Sequence, residues 1–344
     1  MKYILKEVVI EITKRCNLSC IHCGSNCTGK ISKNELPTAF WVDFMNELSF
    51  LKVKKVVFSG GEPTLKKGFD KIISKACKIG LNWGLISNGF NLNLEMIQLL
   101  KNNDPFGIGI SLDGETQPHN IIRNNEESYR NAVQSIDSLV KTGIKTSVVT
   151  TICKLNFKEL IEMAPFLYNL GISNWQIQLM LPFGRMENRE ILISEEDFRK
   201  VCEDIIWIRR EYPQMKTIAA DCFGLAPPRK IRDDFWMGCG AGIFGIGISS
   251  EGNVTPCLSL RVPSMNCGNI KDVSLRKIWE NDNNFSFNRN FKGEEIAGRC
   301  NNCEFLVNCR GGCASQSYSY YGKLHSAPFC YVRDCLQKRK EKLV

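Results

Sequence analysis

Several features that would place a chain of 344 residues in a large class are missing. No run of eighteen apolar residues occurs, so a membrane-spanning helix is excluded. The start, MKYILKEVVIEITKRC, has neither an apolar stretch of signal-peptide length nor a small-residue cleavage site, so no secretory route is expected. There is no internal repeat and no low-complexity segment. No basic helix or aromatic-basic module is visible either, so nucleic acid is not an expected partner. The expectation is a cytoplasmic protein that binds neither membrane nor nucleic acid.

Cysteine, by contrast, is in excess, with 17 in a chain whose hydrophobic, charged and aromatic fractions of 43%, 24% and 10% are ordinary. The count is odd and the chain is far above the size of a disulfide-stapled scaffold. In a compartment that keeps thiols reduced, clustered cysteines read as metal ligands. The length allows one large domain and a smaller one. A formal charge of +9, from 45 Lys and Arg against 36 Asp and Glu, treats every cysteine as neutral. Thiolates at metal sites would reduce it, so the basic balance says little about partners.

Before residue 215 the pattern alternates. Short β-branched runs at 8–13, 55–59, 82–87, 106–113, 145–151 and 174–181 read as strands. Amphipathic stretches at 38–51, 69–79, 94–101, 128–141, 156–169 and 194–211 read as helices. Trp41, Phe44, Met45 and Leu48 share one helical face, and Gly80, Gly143 and Gly171 stand where left-handed caps belong. Six strand-helix units in series imply an α/β fold with a parallel sheet curling into a partial (β/α)6, TIM-like barrel over 1–214. Chemistry is then expected at the carboxyl ends of the strands. From 215 to 344 periodicity fades, turn residues multiply, and ten of the cysteines appear from Cys222 onward. That stretch reads as a smaller, cysteine-rich, metal-stapled domain with a basic tail at 337–342.

Cys16, Cys20 and Cys23, spaced C-x3-C-x2-C, follow the first strand directly. Three thiolates on one loop suit three corners of a 4Fe-4S cubane and leave the fourth iron open for a ligand. Zinc with Cys27 as fourth ligand is the alternative; His22, lying between two of the three, is badly placed to reach the same ion. Ser59-Gly60-Gly61-Glu62-Pro63 ends the second strand, with adjacent glycines that allow close backbone approach and a carboxylate that can take up an ammonium group. Ser87 and Asn88 end the third strand, Ser111 and Asp113 the fourth, and Arg123 lies twelve residues beyond Ser111.

Together these motifs resemble the radical SAM superfamily, whose cysteine loop and GGE motif occur in this order. The resemblance implies a cubane with S-adenosylmethionine on its open iron, reductive cleavage to a 5'-deoxyadenosyl radical, and hydrogen abstraction from a substrate. It also implies cofactor contacts by Gly60, Gly61, Glu62, Pro63, Ser87, Asn88, Ser111, Asp113 and Arg123, with Gln178 and Leu179 toward the nucleoside. The guanidinium fork of Arg123 suits a carboxylate.

Downstream, Cys239, then Gly252 and Cys257, then Cys300-x2-Cys303-x5-Cys309-x3-Cys313 and Cys330 resemble the SPASM extension of that superfamily. The resemblance implies two auxiliary 4Fe-4S clusters, one on Cys239, Cys257 and Cys313 and one on Cys300, Cys303, Cys309 and Cys330. Cys222 and Cys267 compete for the remaining ligand position of the first, unless it is open, and Cys335 competes with Cys330. A hairpin over 246–249 and 253–256 supports pairing Cys239 with Cys257. Zinc on Cys300 to Cys313 is the alternative, but it leaves the upstream cysteines unexplained. Three such clusters would contribute roughly −1, −2 and −2, taking the formal charge to about +4. Cys77, Cys153 and Cys202 read as small core residues, and Cys27 as a neighbour of the loop.

The family implies an enzyme, most readily a maturase acting on a peptide or protein side chain with an external electron donor such as a flavodoxin or ferredoxin. The runner-up is action on a small molecule or tetrapyrrole. A plain electron carrier has no use for the motifs grouped at the strand ends. Leu258 stands where sulfatase-maturing relatives carry an Asp, which disfavours that activity. Cys16 lies too near the start for the leader-binding domain of some peptide maturases. No catalytic acid or base is legible.

Overall fold

The computed structural model describes residues 3–186, 188–220, 223, 238–293, 296 and 300–333. The first strands are β1 Glu7–Glu11, β2 Lys55–Ser59, β3 Trp83–Ser87, β4 Gly107–Ser111, β5 Thr146–Ile152 and β6 Asn174–Leu179. Between and after them run α1 Thr38–Phe50, α2 Phe69–Lys78, α3 Leu94–Asn102, α4 Thr116–Arg123, α5 Ser128–Lys141, α6 Leu160–Asn169 and α7 Glu195–Glu211. Each strand pairs in parallel with the one before it. The result is the expected open, TIM-like α/β sheet, with all strand carboxyl ends on one side.

Burial explains why these runs form strands and helices. β3 and β5 are covered almost throughout, as parallel strands with helices over them must be. Trp41, Phe44, Met45 and Leu48 of α1 are buried together, the face read from their spacing. Burying each such side chain contributes about 1.5–3 kcal/mol. Gly80, Gly143 and Gly171 adopt φ of +69°, +79° and +77°, the left-handed caps expected from their positions.

The sheet does not stop at residue 214, the expected domain boundary. β7 Lys216–Ala219 extends it beside β6. At the opposite edge, the hairpin of β8 Gly245–Ile248 and β9 Val254–Thr255 joins it, with β8 parallel to β1. The order is β7-β6-β5-β4-β3-β2-β1-β8-β9. The hairpin between Cys239 and Cys257 is therefore hydrogen-bonded to the strand that leads into Cys16.

Beyond it, short helices α8 Leu275–Glu280, α9 Ser286–Arg289, α10 Leu306–Cys309 and α11 Ala314–Tyr321 replace the regular alternation. Arg289 fastens this region to the chain start. Its guanidinium lies 4.7, 4.4 and 4.5 Å from the rings of Tyr3, Trp279 and Phe285. It also donates to the Gly242 and Trp279 carbonyls at 2.8 and 2.9 Å. Among the described residues, no helix is long and apolar enough to cross a membrane.

Candidate functional site

The loop after β1 closes on itself: Arg15 bridges Thr28, and the Cys16 N–H donates to the Thr28 carbonyl at 2.8 Å. This turns Cys16 and Cys20 inward and leaves Cys23 half-buried. Each sulfur accepts an N–H. Cys16 takes Leu18 N at 3.4 Å and Asn88 Nδ2 at 3.8 Å, Cys20 takes Arg123 Nη1 at 3.9 Å, and Cys23 takes Cys27 N at 3.4 Å. Such N–H···S contacts hold and tune the thiolate ligands of iron-sulfur clusters, so the donor set fits a cubane. Among the described residues, no three His, Cys, Asp or Glu side chains gather closely enough for a single ion.

Two of the three metal-free thiols, Cys16 and Cys20, favour the protonated form. Burial pushes Cys16 up to about 12. Burial also raises Cys20, with the Arg123 charge opposing it. Cys23 is lowered by the hydrogen bond it takes from Cys27, whose own thiol is raised by that same bond. Loading a cluster must therefore displace protons from this loop. Cys27 is a buried hydrogen-bond donor to the sulfur beside it.

The two glycines of the GGE motif face the loop itself. A Cβ on Gly60, at φ +150°, would sit 2.4 Å from the Thr13 carbonyl oxygen, and one on Gly61 would sit 2.3 Å from that of Arg15. Gly61 N donates to Thr13 O and Glu62 N to Arg15 O, both at 2.8 Å. The close approach read from the sequence thus serves the backbone of the cysteine loop. Glu62 is wholly buried and accepts Ser87 Oγ at 3.0 Å, Asn88 N at 2.8 Å and Thr64 Oγ1 at 2.8 Å. Burial raises its carboxyl above the usual range, against these bonds. Pro63 opens a single 3-10 turn, Pro63–Leu65. Asn88 reaches on to Asn17 Oδ1 at 2.8 Å, so the ends of β2 and β3 hold the loop as one network.

On the next strands, half-buried Ser111 closes β4, and buried Asp113 faces Arg123, with Nε 2.6 Å from Oδ2. Burial alone would raise Asp113, but the charges of Arg123, His22 and His119 outweigh it and hold it below the usual carboxylate range. Asp113 Oδ1 accepts Thr151 N at 2.9 Å. Gln178 Nε2 donates to Thr151 Oγ1 at 3.0 Å, and Leu179 is buried beside it. His22 is pushed down to about 4 by burial and by the Arg123 charge.

Two residues carry parts of this arrangement that sequence reasoning did not single out. His119 accepts Asp113 N at 3.0 Å through Nδ1 and pairs with Ser128 Oγ at 3.0 Å through Nε2, fixing α4 and with it Arg123. Arg185, beyond β6, clamps the cysteine loop. Its N–H donates to Cys23 O at 3.0 Å and Nη1 to Cys20 O at 2.9 Å, and Nη2 reaches Cys27 O. Gly184 allows this approach, since a Cβ there would meet Cys23 O at 2.4 Å. No spacing rule encodes a guanidinium on backbone carbonyls; the basic residue beside a glycine was the available signal.

The downstream cysteines fall into two neighbourhoods. Cys239 and Cys257 share an apolar cluster with Leu260 and Ala314, the residue after Cys313. Cys309 is pushed up to about 12 by burial and by the nearby charges of Cys330, Cys300 and Cys303. Cys267 goes elsewhere: it is buried in the main core, its thiol against the Asn284 and Met265 carbonyls at 3.3 and 3.5 Å. Cys153 and Cys202 are buried and Cys77 is half-buried. Cys222 and Cys335 lie outside the described residues.

Known proteins resemble this chain over both cysteine regions. The radical SAM superfamily model matches residues 10–167, and the model of the SPASM iron-sulfur cluster-binding domain matches 239–304. An AdoMet-dependent heme synthase of Methanosarcina barkeri is 26% identical over 94% of this chain and 95% of its own. The mycofactocin maturase MftC of Mycobacterium tuberculosis is 28% identical over 90% of this chain and 78% of its own. Streptococcus suis SuiB, solved with S-adenosylmethionine, shares the fold: the TM-score is 0.75 at 18% identity, over 91% of this chain and 74% of that one. SuiB has also been solved bound to its precursor peptide SuiA.

Proposed function

The chain is a radical SAM enzyme with an iron-sulfur cluster-binding SPASM domain, and from that premise we propose that it abstracts a hydrogen from a peptide or protein side chain. The observation that carries the proposal is the cysteine loop itself, with three thiols each facing an N–H donor at the carboxyl end of β1. When bound there, a 4Fe-4S cluster and S-adenosylmethionine supply one-electron carbon-sulfur cleavage to a 5'-deoxyadenosyl radical.

The chain's own residues do the holding. Cys16, Cys20 and Cys23 are the proposed ligands of the first cluster. Gly60, Gly61, Glu62 and Pro63, with Ser87 and Asn88, form the wall proposed to receive the cofactor's methionyl end. Asp113 fixes Arg123 as a cation beside Cys20, and Ser111, Gln178 and Leu179 continue that wall toward the nucleoside. Cys239, Cys257 and Cys313 are proposed to hold one auxiliary cluster, and Cys300, Cys303, Cys309 and Cys330 another. That makes three cubanes, with a flavodoxin- or ferredoxin-type donor supplying electrons. The engagement of Cys267 with two carbonyls speaks against it as a further ligand. The proposed division near residue 214 is one of chemistry, since a single sheet runs through it.

The peptide reading is supported by the likeness to MftC, a mycofactocin maturase. One observation favours a second reading, an iron tetrapyrrole substrate: the heme synthase likeness runs along nearly the whole of both chains. The test is to incubate reduced, reconstituted protein with an iron porphyrin carrying propionates and, separately, with short peptides encoded beside its gene. A peptide whose mass changes as 5'-deoxyadenosine rises supports the first reading. Porphyrin turnover with inert peptides overturns it in favour of the second.

A further inference from the structure

Arg310 stands between the two auxiliary cysteine neighbourhoods. It follows Cys309 directly, and its Nη1 donates to the Asn288 carbonyl at 3.4 Å. Asn288 in turn donates through Nδ2 to the carbonyls of Cys239 and Ala241, both at 2.7 Å. The guanidinium lies against the residue before Cys239, since a Cβ on Gly238 would come within 3.1 Å of Arg310 Nε. One cation thus borders a cysteine assigned to each auxiliary site: it follows Cys309 and lies against Gly238, the residue before Cys239.

The backbone marks the same position. Arg310, Gly311 and Gly312 run consecutively at φ +54°, +73° and +86°. Glycine fills two of these three left-handed positions, as that conformation favours, but the first keeps a β-carbon at an energetic cost. A turn alone would be served better by a third glycine.

We propose that Arg310 is the charge that sets the reduction potentials of both auxiliary clusters together. The proposal rests on the ligand assignment above. Taking up one electron makes a thiolate-ligated cubane one unit more negative, and a fixed, half-buried positive charge favours that reduced state. Because the guanidinium borders both cysteine groups, removing its charge moves both potentials the same way. The first cluster's loop has its own cation in Arg123 and serves as the internal reference.

The experiment is an electron paramagnetic resonance titration of the anaerobically reconstituted full chain, reduced stepwise with dithionite. Arg310→Gln is expected to shift both auxiliary signals to more negative potential and leave the first cluster's signal in place, while Arg310→Lys keeps all of them near wild type. Unchanged auxiliary potentials in a fully iron-loaded Arg310→Gln protein would overturn the proposal. So would a negative shift in Arg310→Lys equal to that of Arg310→Gln, since hydrogen-bond geometry and not charge would then be acting. If the Gln variant fails to load iron, Arg310→Met takes its place: both auxiliary potentials shifted negative, with Arg310→Lys near wild type, support the charge, and unchanged potentials overturn it. Wild-type protein that binds iron for only one cubane would instead refute the ligand assignment.

Discussion

The two cysteine regions are built in different ways. The loop of Cys16, Cys20 and Cys23 is held by the barrel: Thr28 closes it, Gly61 and Glu62 bond to it from β2, Asn88 from β3, Arg123 from α4 and Arg185 from beyond β6. The segment of Cys300, Cys303 and Cys309 has one four-residue helix, α10, and left-handed residues at Asn302 and Arg310, and its thiols are half-buried. The first site is pre-arranged by the nine-stranded sheet and the large apolar core packed on it, which also takes in Ile246, Trp279 and Phe329 from downstream. The second is built largely of turns, tied to its surroundings through Arg310, whose carbonyl meets His325 Nδ1 at 2.7 Å, and if its thiols hold a cluster, binding it would add to the folding of this segment.

That contrast can be broken from either side. The largest effect is expected from replacing Cys16, Cys20 and Cys23 together with Ala. Cleavage of S-adenosylmethionine should vanish while about eight of roughly twelve irons remain, as two of three cubanes require. Retention of all iron would mean that the ligand partition is wrong. Next, removing iron with a chelator should expose 300–330 to limited proteolysis while 7–211 stays resistant, read by mass spectrometry of the fragments. Equal resistance of both regions would erase the distinction.

Burial of α4 against the sheet also predicts a pH effect. Burial pushes His119 down to about 4, so it folds neutral, whereas the unfolded chain protonates it near 6.5. Its contribution is complete above the unfolded value and is lost as pH falls toward the folded one. Between pH 7 and pH 5 that loss is about 2 kcal/mol. His119→Gln can keep both hydrogen bonds without titrating, so urea unfolding should show a correspondingly smaller pH dependence; identical slopes would contradict the assignment. A smaller effect is expected of Arg185→Ala. Losing its bonds to loop carbonyls, at about 1 kcal/mol each, should speed loss of the first cluster several-fold. The auxiliary clusters should be untouched, as followed by absorbance decay.

The fold was largely legible because parallel strands buried on both faces read as short β-branched runs, and helices such as α1 carry one apolar stripe. α4 was not read as an element: its eight residues hold Pro118 and too few apolar positions to show a period. β7, four residues long, lay beyond the change of texture that suggested a boundary. At the site, spacing marked Cys16, Cys20 and Cys23 because the ligands of one cluster share a loop. Arg185 left only the faint signal of a basic residue beside Gly184, since it acts on backbone carbonyls. Cys267 drew attention by composition alone, and its environment is the core.

The most direct test of the account is the product of the reduced, fully iron-loaded protein given S-adenosylmethionine under anaerobic conditions. Chromatography should find 5'-deoxyadenosine, and the Cys16, Cys20 and Cys23 variant should form none. Full iron loading without 5'-deoxyadenosine, with or without candidate substrates, would contradict it.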